Sequence, residues 1–346
     1  METTMQLLPV RTDTRELSNL ATSIDFTPYV ELNSVTTQDT EKKHFIEANT
    51  LDVDISHLKN ECVVPVFSKD NEITISHHHF IETVYNAVSS FFTGESITEP
   101  EIRVSHIIKG RVPEAIYKPV NQLLDRDKTI YYERMAFCME IPSIHECIEG
   151  NRLNLTIGGV RAYNHENLYS KKSAEKFKVF IGFKNLVCCN MCISTDGYKT
   201  DVKVMSTTQL YDEVMKMFQE YSPARHLHLM NRLKDSYLSE HQFAQLIGKS
   251  KLYQCLPNAK RKLLPEMSFT DNHISSVAKS YYQDDNFNIA QGADAISLWR
   301  VYNLFTSANK SSYIDSFLDR SLNATELTEG ISKALHGDSI YKWFIE

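Results

Sequence analysis

No run of apolar residues in this 346-residue sequence approaches the roughly 20 needed to cross a bilayer. Stretches such as Val179–Phe183 are far shorter. Met1–Val10 lacks the basic region, apolar core and cleavage site of an export signal. Glycine (11) and proline (10) are few, and 42% of residues are hydrophobic, which excludes collagen-like, low-complexity and wholly disordered chains. Also missing are the Walker lysine, Gly-x-Gly-x-x-Gly, Gly-x-Ser-x-Gly, His-Glu-x-x-His and the kinase signatures. No catalytic residue and no cofactor is therefore assigned, and a non-enzymatic protein is expected. Seven cysteines, an odd number in a long chain without export signals, suit reduced thiols in a cytoplasm better than a disulfide framework. The Asn-Leu-Thr sequon at Asn154 then has no consequence.

What is present points to an α+β fold. Residues 1–55 read as a poorly ordered acidic arm, with a short helix possible near 12–23; residues 1–60 carry 5 Lys/Arg against 10 Asp/Glu. A strand is predicted at Cys62–Phe67. Ile81, Val84, Tyr85, Val88, Phe91 and Phe92 then share one face of a helix capped by Ser76 and stopped near Gly94. From 101 to 194 the period changes to two. Ile102–Ile108, the Tyr131–Ile141 segment, Leu153–Ile157, Phe177–Phe183 and Leu186–Ile193 make about five strands of an antiparallel or mixed sheet, since the intervals are mostly too short for crossover helices. Beyond Ser206 the pattern is helical, with Pro223 opening one helix and Ser239 and Gln242 forming a capping box for another. Further helices are predicted over 271–282, 294–307, 311–318, 325–335 and 339–344. The expected layout is an arm (1–55), a sheet core (56–205) and a helical region packed on it (206–346).

Several clusters invite chemistry. Cys188, Cys189 and Cys192 hold a Cys-x-x-Cys pair that can bind zinc or cycle as a dithiol, with His226 and His228 as conceivable partners. They lie in a predicted strand without a second pair, so buried structural cysteines are expected. His77, His78 and His79 are consecutive, and side chains about 100° apart on a helix do not converge three at a time on one ion; a polar first turn is expected and no metal ligand is assigned. Gly158-Gly159 lacks the context of a phosphate loop and predicts a strand bend or bulge. Asp196, Asp201 and Lys203 only faintly suggest a metal-dependent nuclease.

Charge is the strongest signal. The net charge of −7 conceals a central segment, 161–262, with 17 Lys/Arg against 9 Asp/Glu, while the remainder holds 20 against 35. Arg161, Lys171, Lys172, Lys176, Lys178 and Lys184 are interleaved with Tyr163, Tyr169, Phe177 and Phe180. Arg225, Arg232, Lys249, Lys251, Lys260, Arg261 and Lys262 follow on helices. Cations for phosphates and aromatics for stacking are how single strands are held without sequence preference. The predicted nucleic-acid-binding residues are these thirteen cations with Tyr163 and Tyr169. A solvated face, or a surface on which the acidic arm and tail dock, explains the same charge.

The segments Ile157–Asn164, Glu175–Phe183 and Val187–Cys192, with Trp299, Asn303 and Thr306 before Tyr313, resemble a family of unknown function from gut-type bacteria and their mobile elements. More distantly they are similar to phage/plasmid-like proteins. The closer resemblance runs from about residue 55 to the end and brings no established activity. It implies a cytoplasmic protein encoded by mobile DNA, which favours nucleic-acid transactions. The leading expectation is single-stranded DNA binding or annealing. The alternatives are an interaction module or inhibitor acting on a host or element protein, and a zinc or redox protein built on Cys188–Cys192. No membrane partner is expected.

Overall fold

The computed structural model describes residues 43–62, 74–165, 174–337 and 339–346. The helix expected near 12–23 lies outside them, as does the strand expected at 62–67 except for Cys62, which bridges to Ile130. After a two-residue strand β1 (Leu51–Asp52), α1 (Ile55–Asn60) begins where Asp54 accepts the His57 N–H at 2.7 Å. α2 (His77–Phe91) starts at Ser76, whose hydroxyl accepts the His79 N–H, and buries Phe80, Ile81, Val84, Ala87 and Val88. Ile81, Val84 and Val88 of the predicted face are packed, but Tyr85 is exposed, and the buried stripe runs instead through Phe80 and Ala87.

The strands that follow are β2 (Glu101–Val104), β3 (Ile107–Arg111), β4 (Lys128–Tyr132), β5 (Arg134–Ile148), β6 (Asn151–Ala162), β7 (Glu175–Asn185) and β8 (Met191–Val204). Six of them form one sheet in the order β1-β2-β5-β6-β7-β8, with every pairing antiparallel. β3 and β4 pair separately as a ribbon whose connecting loop holds Tyr117 (97% exposed), Val120 and Leu124 in solvent. The segment expected to run unbroken from Tyr131 to Ile141 is therefore divided at Glu133 between two sheets. β5 returns as β6 through Glu149-Gly150, both at positive φ (46° and 75°). That is the two-residue turn whose twist matches paired strands.

The helical half comprises α3 (Thr207–Glu220), α4 (Pro223–Lys234), β9 (Tyr237–Ser239), α5 (Glu240–Cys255), α6 (Asn258–Arg261), α7 (Asp271–Gln283), β10 (Ala295–Ser297, paired with β9), α8 (Leu298–Asn309) and α9 (Ile314–His336), closed by a 3₁₀ turn at Ile340–Phe344. The predicted capping box is present, with the Ser239 hydroxyl accepting the Gln242 N–H at 3.2 Å and the Gln242 side chain accepting the Ser239 N–H at 3.0 Å. The two helices expected over 311–318 and 325–335 are one, α9. Asn323 does not break it because its amide bonds outward, to Ser268 and the Glu266 carbonyl.

The sheet is covered on both sides. Phe137, Met139, Ile157, Val179 and Ile181 belong to the main core with α2 and the C-terminal helices. Ala136, Cys138, Val160 and Phe180, on the opposite face, pack with Ile314, Phe317 and Leu318 of α9 and with Phe45 and Ile46. Those last two anchor the segment before β1, whose Glu47 and Ala48 N–H groups donate to the Lys310 carbonyl (2.9 and 3.1 Å). One main core extends from Leu58 through the sheet to Ile345, so the sheet and the helical half share it.

Gly158-Gly159 sits at neither a bend nor a bulge, since both its ladders run through in register. The reason for glycine is close approach. A Cβ on Gly158 would lie 2.0 Å from the Phe137 carbonyl oxygen and 2.9 Å from Phe180, and one on Gly159 would lie 2.5 Å from Phe80 of α2. Backbone atoms in a sheet cannot yield as a flexible side chain does. Gly158→Ala is expected to lose about 1–3 kcal/mol of stability through overpacking, measured by urea denaturation. An unchanged midpoint would contradict this close contact.

Candidate nucleic-acid interface

The structure separates the fifteen predicted binding residues into two groups with different surroundings. On β6 and β7, most of the positive charge is internal. The side chain of Arg161 is fully buried; its guanidinium meets Glu175 at 2.5 Å and lies over the rings of Tyr163 (4.5 Å) and Phe177 (4.6 Å). Tyr163 is itself buried against His77. Burial, and next the Arg161 charge, push the His77 imidazole down to about 3 and hold it neutral.

Lys184 is buried between Glu101 (2.8 Å) and Glu140 (3.1 Å). Burial opposes its charge, but the neighbouring carboxylates outweigh burial and raise its pKa above the ordinary lysine range. Lys178 reaches Asp319 and the Asp315 carbonyl, both at 2.6 Å. Lys176 is exposed at the rim of a groove that also holds Thr200, Asp201 and Asp315. Tyr169, Lys171 and Lys172 lie outside the described residues. Of the β6–β7 group, then, Arg161 and Lys184 support the interior rather than a surface.

The helical group is arranged differently. Arg225 is exposed in the first turn of α4, and Arg232 approaches Glu329 at 3.7 Å. Of the other five, Lys249 and Arg261 are joined through Trp343 and Tyr253, Lys260 and Lys262 adjoin Arg261 in sequence, and Lys251 turns toward α7. The C-terminal half of α5 carries Lys249, whose ammonium lies 5.1 Å from the centre of the Trp343 ring. Trp343 meets Tyr253 edge-on at 6.5 Å, and Tyr253 carries the Arg261 guanidinium at 5.5 Å. Arg261 also donates to the Gln254 and Leu256 carbonyls (2.9 and 3.3 Å), satisfying the end of α5. Lys260 and Lys262 flank it, both exposed, and Lys251 bonds Ser275 (2.9 Å) and Asp271 (3.3 Å). Leu252 and Leu263 stand beside these cations at 51% and 78% exposure.

No acid occurs from His241 to Pro265, a stretch that includes five Lys/Arg. That gap is a sequence signal for the corner. Trp343, some eighty residues later, is the member that sequence reasoning missed, because nothing local ties it to α5.

The remaining candidates are structural in their surroundings. Cys188 and Cys189 lie in the turn between β7 and β8 rather than in a strand, with Cys189 at φ +57°. Burial pushes the Cys188 and Cys192 thiols up to about 12, which keeps them protonated. His226 is buried against Tyr221 (2.9 Å), and burial takes it down to about 4, while His228 is exposed. Asp196 accepts from Ser194 and the Ser222 N–H, and Asp201 pairs with Lys203 at 2.5 Å.

Two of the quoted sequence segments meet in space. Trp299, Asn303 and Thr306 are all buried on α8. There the Asn303 Oδ1 accepts from Asn185 (3.4 Å) and Asn190 (3.3 Å), its carbonyl accepts from Asn190 (3.0 Å), and its Nδ2 donates to the Trp299 carbonyl (2.9 Å). A packing junction, not a reaction centre, accounts for those residues.

Among the described residues no helix is long and apolar enough to cross a membrane. Residues 29–345 match the model of a family described as "Domain of unknown function, B. Theta Gene description (DUF3871)", a match that starts nearer the N-terminus than the resemblance from residue 55. No curated protein and no solved structure matches the chain.

Proposed function

We propose, from the premise that the chain belongs to this domain-of-unknown-function family across residues 29–345, that it is a non-enzymatic protein binding single-stranded nucleic acid at the corner of α5, α6 and the closing 3₁₀ turn. One observation carries the reading: the ladder Lys249–Trp343–Tyr253–Arg261, whose two cations come from the segment 241–265 that holds no acid. Lys249, Lys260 and Lys262 supply charge for phosphates, and the half-buried Trp343 supplies an aromatic ring for bases. The resemblance to mobile-element proteins agrees in kind with such a role. Arg161, Lys178 and Lys184, being engaged within the fold, are not part of the interface.

Fluorescence anisotropy with a labelled oligothymidine tests it. Lys249, Lys260 and Lys262 changed together to Ala should weaken binding and reduce the slope of log affinity against log salt by about 2, at roughly 0.7 per phosphate contact. Trp343→Ala should cost about 1–3 kcal/mol of binding. Lys216→Ala, on α3, serves as the control and should bind like the parent. Absence of salt-sensitive binding by the parent at micromolar protein in low salt sinks the reading.

A further inference from the structure

We propose that His78, His79 and Glu82 form a three-ligand site for a divalent transition-metal ion, zinc foremost, with water as the fourth ligand. Three consecutive histidines do not converge on one ion, but two can when the third turns away. His77 points inward, its Nε2 lying 2.8 Å from the Tyr132 carbonyl oxygen and its ring on Tyr163 at 4.5 Å. His78 and His79 remain on the accessible side, with ring centroids 4.1 Å apart. Glu82 follows four residues after His78 and three after His79, the two spacings that make neighbours on a helix surface.

One ligand atom from each of the three lies within 4.8 Å of the others, and all three residues are half-buried. Ligands around tetrahedral zinc at 2.0–2.1 Å are about 3.3 Å apart, so small side-chain rotations close the set. Two imidazoles and a carboxylate are the donor types that suit zinc and its neighbours in the first transition row. The Ser76 hydroxyl, 2.8 Å from His78 Nδ1, supplies an outer partner. In the tautomer donating Nδ1–H to it, the His78 lone pair sits on Nε2, whose own contact to that hydroxyl is the longer one at 3.5 Å, and a metal can take it. Solvent access leaves the fourth position to water.

A neighbour opposes the ion. The Lys59 ammonium lies 3.2 Å from Glu82 Oε1, where its charge repels a cation and competes for the carboxylate. That competition makes the test two-sided. Untagged, chelator-treated full chain is titrated calorimetrically with zinc chloride. One equivalent is expected to bind, with at least tenfold loss of affinity in His78→Ala and in Glu82→Gln. Lys59→Met should instead bind severalfold more tightly, a gain that misfolding cannot produce. Cobalt(II) loading should give no thiolate charge-transfer band, which distinguishes the site from Cys189 and Cys192. Failure to bind one equivalent, affinity indifferent to His78 and Glu82, or a thiolate band each overturns the proposal.

Discussion

Lys184→Met is expected to destabilise the protein by about 3–5 kcal/mol at pH 7, the usual cost of breaking a buried ion pair by removing one partner. Methionine matches the lysine stem in shape, so lost packing contributes little. What remains is the pair Glu101 and Glu140, which shared one ammonium at 2.8 and 3.1 Å. Glu101 still has His44 at 3.1 Å, and Glu140 keeps the Asn154 amide at 2.7 Å. Neither replaces a buried positive charge.

The pH dependence follows from the directions of the shifts. Burial would raise the Glu101 pKa, but Lys184 and His44 pull it below its ordinary value of 4.5. Its contribution is present above 4.5 and is lost as pH falls through the lower folded value. Lys184 is raised above its ordinary 10.5, so its contribution is present below that and is lost only as pH rises through the higher folded value. In the variant one carboxyl gains a proton as the solution is acidified, so the deficit should shrink from pH 7 to pH 4.5. Urea denaturation at both values measures it. A loss below 1 kcal/mol at pH 7 would show that the pair contributes nothing beyond an exposed one.

Asn303→Leu is the second large effect, expected at about 2–4 kcal/mol. The side chains have similar volume, so the loss is polar. Removing Oδ1 leaves one N–H each on Asn185 and Asn190 without its acceptor, at roughly 1–3 kcal/mol per buried orphan. The Asn185 Nδ2 then keeps only the 3.4 Å contact to Asn151, and the Asn190 Nδ2 only the Asn303 carbonyl. If the amides of Asn185 and Asn190 are the cause, the double change of Asn190→Leu with Asn303→Leu should cost less than the sum of the two singles. Strict additivity in denaturant titrations would disprove the coupling.

Much of this architecture is legible because local pattern and final environment agree. The alternation in β5, β6 and β7 states one face that is buried, and the Ser239 capping box forms as its residues require. Ile81, Val84 and Val88 of the α2 stripe are packed, although Tyr85 turns to solvent. The charged residues are where legibility ends. Lys178 and Lys184 alternate with apolar neighbours and so read as the wet side of a half-exposed strand. That side is covered by Phe45, Ile46 and α9, more than a hundred residues away in either direction. A two-sided sheet turns the lysines inward, and no local window contains its cover. The Cys188–Cys192 segment fails for the opposite reason. Its residues favour extended backbone, yet Cys189 at φ +57° and the Cys189 N–H bond to the Asn185 carbonyl (2.7 Å) put Cys188 and Cys189 in the turn between two strands. Only Met191 and Cys192 are extended, opening β8. The α5–α6 corner is half legible, since the lack of acids shows in sequence while Trp343 joins only in three dimensions.

The segment held by Phe45 and Ile46 has a kinetic meaning. The β5–β6 hairpin closes over two residues and β7–β8 over five, and such local contacts form early because little chain entropy is lost in closing them. The segment from Lys43 to Ala48 must instead find Lys310 and Cys189, residues far along the chain, where the Cys189 thiol meets the Lys43 carbonyl at 3.5 Å. Phe45 packs edge-on to Phe317 of α9, 5.9 Å between ring centres, so the segment seats after α9 has docked. By the same logic it is expected to lift without the sheet opening. Each such excursion uncovers the thiol of Cys189, and the rate at which an alkylating reagent modifies that sulfur is a clock for the opening.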